Sequence, residues 1–251
     1  LASWMLTRLM ETGIVDRAIC VASTSNPDRL FEFAEFTNVE SLWTAARSSY
    51  YPVEISSCLR TAAESHLRYA VIGLPCVLKG IRRAQRTMPK LKRTISVMLG
   101  LVCGQQRSKF FAEYLVRRAG LSMDSVCRVS FREKRKGQSA YRSHFAAWTD
   151  EDVPPRFVER SDGYDFAWGQ GYFKQDACNY CDDVFAELAD VVFMDAWLPG
   201  FHDDPRGTNI VTARSALCRD LLESGIQSGV LRMTPIGIRD VIRSQEGCLR
   251  L

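Results

Sequence analysis

Four of the nine cysteines stand where thiol chemistry is easiest to arrange. Cys76 follows the apolar run Tyr69-Ala70-Val71-Ile72-Gly73-Leu74 and Pro75. Cys103 follows a second run, Ile95-Ser96-Val97-Met98-Leu99-Gly100-Leu101-Val102. Cys178 and Cys181 form a CxxC within Asp176-Ala177-Cys178-Asn179-Tyr180-Cys181-Asp182-Asp183. A short apolar run that stops at Gly or Pro reads as a buried strand. The ends of parallel strands share one edge of their sheet, so thiols distant in sequence can meet there. Together with the CxxC they make a four-thiolate set, which suits an iron–sulfur cluster or a structural zinc. Taken singly, Cys76 and Cys103 also read as small buried hydrophobes. A lone CxxC serves equally for zinc or a redox disulfide. Cys20, Cys58, Cys127, Cys218 and Cys248 have no paired spacing and are expected to pack.

Other residues could hold an anionic or aromatic ligand. Ser48, Ser49 and Tyr50 form a polar turn that can present hydroxyls and backbone N–H groups; the alternative is an ordinary surface turn. Arg132 and Lys134 end a strand and could neutralise a pyrophosphate, or the run from Arg132 to Lys136 is a solvated loop. Asp195 and Trp197 end another strand. Trp197 could shield a cluster, stack on a ring or pack in the core, and Asp195 could orient a ligand. Lys79, Arg82 and Arg83 follow Cys76 on a basic helix, available to an anionic tail or simply solvated. His66, His144 and His202 lack metal-ligand spacing and are expected to be structural or exposed. No GxGxxG follows the first strand, which argues against NAD as direct substrate.

Alternating elements must position these groups. Helices are expected at Leu1 to Thr12, with Gly13 as its C-terminal cap, then Val39 to Arg47, Ser56 to His66, Val77 to Arg86 and Ser108 to Ala119. Strands are expected at Ile14 to Ala22, Tyr69 to Leu74, Thr94 to Val102 and Val126 to Arg132. Residues 138–171 read mainly as loops, with Pro154-Pro155 and several Gly and Asp. Strands at 191–195 and 209–213 and helices at 215–224 and 236–244 follow. The alternation predicts an α/β fold with a mostly parallel or mixed sheet, flanking helices and a cluster held by loops at strand ends. Residues 1–135 form its N-terminal part and 136–251 a C-terminal part carrying the CxxC, the two expected to make one compact unit.

The chain has 251 residues, 46% hydrophobic and 25% charged, with a net charge of +4. That is ample for a buried core. No aromatic-interleaved basic stripe suggests nucleic acid, and no apolar stretch is long enough for a membrane span. The cysteines lack a disulfide-scaffold spacing, so a reducing cytoplasmic interior is expected. The chain opens at Leu1 without an initiator Met, inside an expected helix, so an N-terminal segment is expected to be missing.

Five ordered motifs carry a resemblance: Ile72-Gly73-Leu74-Pro75-Cys76, Gly100-Leu101-Val102-Cys103-Gly104, Ser130-Phe131-Arg132-Glu133-Lys134, Cys178-Asn179-Tyr180-Cys181-Asp182-Asp183, and Ala189-Asp190-Val191-Val192-Phe193-Met194-Asp195-Ala196-Trp197. Over nearly its whole length the chain resembles the coenzyme F420 hydrogenase/dehydrogenase beta-subunit family. The resemblance implies an FAD-binding oxidoreductase with a 4Fe-4S cluster on Cys76, Cys103, Cys178 and Cys181. Ser48, Ser49, Tyr50, Pro75, Arg132, Lys134, Asp195 and Trp197 are the expected cofactor contacts. It further implies electrons from ferredoxin or a partner redox subunit, passed through FAD to coenzyme F420 or another ring-shaped hydride acceptor. The family's Gly-Gly stretch before the first helix and its extra ferredoxin-like cysteine array are absent. The competing expectations are a structural zinc-thiolate protein and an electron-transfer subunit without a substrate of its own.

Overall fold

The computed structural model describes every residue except Ala46, Lys136, Gly137, Arg250 and Leu251. Among the described residues the strands are β1 (Arg17–Ser23), β2 (Phe31–Phe36), β3 (Tyr69–Gly73), β4 (Ile95–Leu101), β5 (Arg128–Glu133), β6 (His144–Trp148), β7 (Arg156–Val158), β8 (Val191–Asp195) and β9 (Asn209–Ala213). The helices are α1 (Ala2–Glu11), α2 (Val39–Leu42), α3 (Ser56–Glu64), α4 (Pro75–Thr87), α5 (Pro89–Thr94), α6 (Lys109–Arg118), α7 (Asp165–Gly169), α8 (Ala216–Gln227), α9 (Ile238–Ser244) and α10 (Glu246–Leu249).

Strands with apolar side chains on both faces need a helical layer on each side. In β8, Val192 and Met194 join one core, while Val191 and Phe193 join the other. In β3, Val71 and Ala70 divide in the same way. Helices α3, α4 and α5 cover the first face, and α1, α2 and α8 the second. The main sheet runs β2-β1-β3-β4-β8-β9. Its four central strands are parallel, and β2 and β9 flank them antiparallel. This is the α/β class with a mostly parallel, mixed sheet expected from the alternation.

Local signals set several boundaries as expected. The chain leaves α1 through Gly13 at φ +66°, and Ile14 N–H reaches back to the Leu9 carbonyl at 3.0 Å. Glycine tolerates that left-handed turn, which satisfies carbonyls that would otherwise be unpaired.

Three expectations need correction. Strand β2 is absent from the sequence reading; it pairs antiparallel with β1 across a turn in which the Asn26 side chain accepts from Asp28 N–H at 2.9 Å. The helix expected over Val39 to Arg47 stops at Leu42, and Ala45 instead bridges to Ala22. The stretch 138–171 is not chiefly loop. Strands β6 and β7 join β5 in a second, three-stranded antiparallel sheet. Strand β6 is buried throughout, so it lacks the alternation that marks a half-exposed strand. An aromatic core of Phe31, Phe111, Phe131, Phe145 and Tyr164 joins this sheet to α6. Among the described residues no helix is long and apolar enough to cross a membrane.

Candidate functional site

Strands β3 and β4 are adjacent and parallel, so the chain leaves both on the same sheet edge. Pro75 opens α4 directly after β3, and Cys76 is the next residue. Proline suits this position because its missing N–H has no partner in a helix's first turn. Its ring is buried and does not line the cavity described below. Cys103 lies two residues beyond β4.

Backbone bonds bring the CxxC to this edge from both sides. Cys103 N–H donates to the Val184 carbonyl at 3.1 Å. Gln175 N–H donates to the Gln106 carbonyl at 2.9 Å, and Gln106 N–H donates to Cys178 Sγ at 3.2 Å. The Gln106 side chain donates to the Tyr51 carbonyl at 2.6 Å. From the opposite side, Lys79 Nζ on α4 binds Asp182 Oδ1 at 2.7 Å. Lys79 and Arg82 are therefore not free for a ligand's anionic tail. Lys79 holds Asp182, and Arg82 binds the Leu188 carbonyl and faces Asp190 at 3.6 Å.

Two of the thiols, Cys76 and Cys103, feel the others. Burial pushes the Cys103 thiol up to about 12, with Cys76, Cys178, Cys181 and Cys248 adding to the rise. Burial also raises Cys76, helped by Cys181 and Cys178. Among the described residues no group of three or more His, Cys, Asp or Glu is closed into a metal-ready arrangement. The donor set fits a thiolate-bound group in its chemistry: four soft sulfurs, an N–H aimed at one of them, and loops tied together around them.

Cys248 was expected merely to pack, yet it belongs to this neighbourhood. A Cβ on Gly104 would lie 2.8 Å from Cys248 Sγ, so only glycine admits α10 so close to the loop after β4. No local spacing relates Cys248 to the other thiols. The contact arises because Gln245 Nε2 binds the Asp195 carbonyl at 2.8 Å, and Cys248 N–H binds the Gln245 carbonyl at 2.8 Å. Cys20 and Cys218 are buried as expected, and Cys58 and Cys127 each meet a backbone carbonyl at 3.4 Å.

Where β8 ends, on the same sheet edge, lies a cavity of about 460 Å³, lined by none of the four thiols. Ser48, Arg132, Lys134, Asp195 and Trp197, all expected cofactor contacts, line it. Arg47, Tyr141, His202 and Arg206 also line it and carry no sequence signal for that place. Arg206 and His202 come from the loop between β8 and β9; Tyr141 precedes β6 in a segment read from sequence as loop. His202 is stacked on Tyr141 with ring centroids 4.8 Å apart, and Trp197 meets Tyr141 edge-on at 5.3 Å. Trp197 is a wall residue, not a core one. Ser49 is not part of the lining, and Tyr50 stands behind it, packed on Trp168 at 4.5 Å.

Arg132 and Asp195 form a close ion pair. Asn209 Nδ2 reaches the other Asp195 oxygen at 3.4 Å. Burial works against the Arg132 charge, but Tyr50 and Asp195 outweigh it and raise the guanidinium above its ordinary value. Burial likewise pushes the Tyr50 hydroxyl up. Lys134 Nζ is held by the Arg206 carbonyl at 2.8 Å, and Arg135 is paired with Glu159 at 2.7 Å. Lys136 lies outside the described residues. Among the described residues the lining has four cations, Arg47, Arg132, Lys134 and Arg206, against the one carboxylate of Asp195. A cavity with aromatic walls and this charge balance suits a planar ring bearing anionic groups.

The fold and site thus define an α/β protein with a cationic crevice and cysteines near the carboxyl edge of one sheet. Residues 66–238 match the family model for the C terminus of the coenzyme F420 hydrogenase/dehydrogenase beta subunit, and residues 1–60 match the model for its N terminus. The chain belongs to the coenzyme F420 hydrogenase/dehydrogenase beta-subunit family, whose members are electron-transfer oxidoreductase subunits. It is also similar to a chain of the F420-reducing nickel–iron hydrogenase complex from Methanosarcina barkeri. The TM-score is 0.72 at 20% identity, covering 100% of this chain and 81% of that one. At that identity the likeness speaks to the fold. Comparison with curated proteins returns no match.

Proposed function

We propose that this protein is a flavin- and iron–sulfur-dependent oxidoreductase of the F420 hydrogenase/dehydrogenase beta-subunit type. Cys76, Cys103, Cys178 and Cys181 hold a 4Fe-4S cluster, and FAD occupies the cavity beside them. When bound, these groups supply single-electron transfer and hydride chemistry respectively, which side chains cannot provide. The observation that carries the reading is adjacency. Cys103 and Asp195 each follow or end one of two paired strands, β4 and β8, so the thiols and the cavity share one edge.

The protein's own groups bind and orient. Arg132, Lys134, Arg47 and Arg206 offset ligand phosphate charge. Trp197 and Tyr141 offer ring faces, and the Ser48 hydroxyl offers a donor. Asp195 fixes the Arg132 guanidinium, and Tyr50 supports it from behind. Gln106 N–H orients the Cys178 sulfur.

The two-electron partner is coenzyme F420 or another ring-shaped hydride acceptor rather than NAD, with ferredoxin or a redox subunit of a larger cytoplasmic complex as the electron source. The family description and the assembly named for the hydrogenase relative support this assignment. Residues 1–135 and 136–251 act as one unit, a reading supported by the β4–β8 pairing.

Anaerobically purified protein tests the reading. Iron and acid-labile sulfide in equal amounts, with FAD released on denaturation, are expected. A colourless protein with stoichiometric zinc and no flavin would overturn it. Bound FAD should then be reduced faster by reduced F420 than by NADH in stopped flow; equal or faster reduction by NADH would remove F420 from the assignment.

A further inference from the structure

The chain's excess of positive charge is gathered in one place. Between Glu64 and Glu113 the sequence has no acidic residue, and residues 79–93 hold seven Lys or Arg, although the whole chain carries a net charge of only +4. Protein surfaces usually intersperse both signs. Helices α4 and α5 supply all seven cations. Leu78, Ile81 and Gln85 are the buried side of α4, so Cys76, Lys79, Arg83 and Arg86 share a stripe on its outer side. Cys76, Arg83 and Arg86 are exposed. At the rise of an α-helix the stripe runs about 15 Å from Cys76 to Arg86, and the exposed Lys90, Lys92 and Arg93 follow on α5.

Two contacts tie this helix to the CxxC and the segment after it. Lys79 Nζ binds Asp182 Oδ1 at 2.7 Å, and Arg82 Nε donates to the Leu188 carbonyl at 3.1 Å. Of the acids in residues 182–190, Asp182 is held by Lys79, Asp183 accepts from Glu187 N–H, and Asp190 faces Arg82. Among the described residues the other five cations of α4 and α5 make no ion pair, and Glu187 is the acid of that segment left without a partner. Apolar groups lie open in the same place. Tyr180, between the two CxxC cysteines, is 88% exposed, and Leu188 is 42% exposed. Open apolar groups beside free charge of one sign are what a short-lived, charge-steered protein interface presents.

We propose that the outer face of α4 and α5 docks a small acidic protein that carries single electrons, and brings it against the exposed thiol edge at Cys76 and Tyr180. The inference rests on the cluster reading above and gives the electron donor of that reading a place. The carrier loses one electron and the thiol-held group gains it, with no bond made or broken. Arg83, Arg86 and Lys90 attract the acidic partner and set its approach, while Tyr180 and Leu188 supply apolar contact. None of the five free cations lines the cavity at the end of β8, so a docked carrier leaves that cavity to the two-electron partner.

The test is isothermal titration of an oxidised plant-type 2Fe-2S ferredoxin into anaerobically purified wild type, R83E/R86E, R83Q/R86Q and R117E, with iron measured in every sample. R117E reverses an exposed cation on α6, outside the stripe. Wild type is expected to bind, and to weaken by at least about tenfold between about 50 and about 300 mM salt. R83E/R86E is expected to bind at least about tenfold more weakly at low salt, with R83Q/R86Q between the two and R117E within about twofold of wild type. The glutamine pair only removes charge from exposed positions, so it carries the test if the reversal unfolds the protein. Iron-loaded wild type that ignores the ferredoxin would overturn the inference and leave the cluster reading standing. So would R83Q/R86Q at wild-type affinity, or R117E as weak as R83E/R86E. Duplex DNA that binds more tightly than the ferredoxin, and is lost in R83E/R86E, would assign the face to nucleic acid instead. Wild type purified without iron would sink the cluster reading and this inference together.

Discussion

Asp195 is the most informative single side chain of the cavity, because its removal separates fold from ligand. It ends β8 at the edge shared with the thiols, and its carboxylate meets Arg132 and Asn209. Arg132 has an 18% exposed side chain at the cavity wall, so water replaces a lost partner only in part. Asp195→Ala is expected to cost about 1–3 kcal/mol by leaving a buried charged donor incompletely paired. It should also weaken flavin retention, since the freed guanidinium is no longer aimed. Urea unfolding and flavin content after gel filtration check the two effects. Unchanged stability together with unchanged flavin content would remove Asp195 from the site.

The elements that carry the thiols are tied by few contacts, so each tie can be tested alone. Lys79 on α4 holds Asp182, next to Cys181, and keeps the Asp182 carboxyl below its ordinary 3.8. A carboxyl depressed by folding contributes stability that is full above its unfolded value and disappears as pH falls through the folded one. The stability gap between wild type and Lys79→Met is therefore expected to be constant above about pH 5 and to close in more acid solution. Thermal melts across that range measure it, and a gap that widens toward acid would contradict the assignment. Both side chains are exposed, so the gap is small. A larger effect is expected at Gly104. A Cβ there would meet Cys248 Sγ at 2.8 Å and Cys248 Cα at 3.2 Å, and backbone cannot rotate away. Gly104→Ala should cost about 1–3 kcal/mol as overpacking does, and hydrogen exchange should show lost protection in α10 before the central strands are affected.

The chain as a unit depends on a long-range pairing. Strand β8 comes from the second half of the sequence and forms the neighbour of β4, with β9 completing the sheet beyond it. Without them β4 would expose a row of unpaired N–H and C=O groups beside Val97 and Leu99, an aggregation-prone edge. Residues 1–135 expressed alone are expected to be insoluble or partly folded, and co-expression with 136–251 is expected to rescue them. Gel filtration and circular dichroism decide, and a stable monomer from 1–135 would show the halves to be independent.

Local pattern was enough for much of this architecture. The apolar runs at 69–74 and 94–102, with glycine and proline punctuation, marked two parallel strands, and their ends identified Cys76 and Cys103. Gly13 was legible because backbone geometry there depends on one or two residues; the helix after β3 was read from Val77, two residues after its true start at Pro75. The motifs around the cysteines and Asp195 carried the family. What the chain's order could not disclose is what arises from burial on every side or from contacts between distant segments. Strand β6 has no exposed face to create alternation, and edge strand β2 exists because β1 offers it a partner. Arg47 and the β8–β9 loop residues His202 and Arg206 come to one cavity from distant parts of the chain, and Cys248 reaches Gly104 through Gln245 and the end of β8. Lys79 and Arg82 looked free on a basic helix face and are claimed by Asp182 and Asp190 from over 100 residues away. Whether a charge serves a ligand or a neighbour is set by which groups it meets in space, and only the tertiary structure decides that.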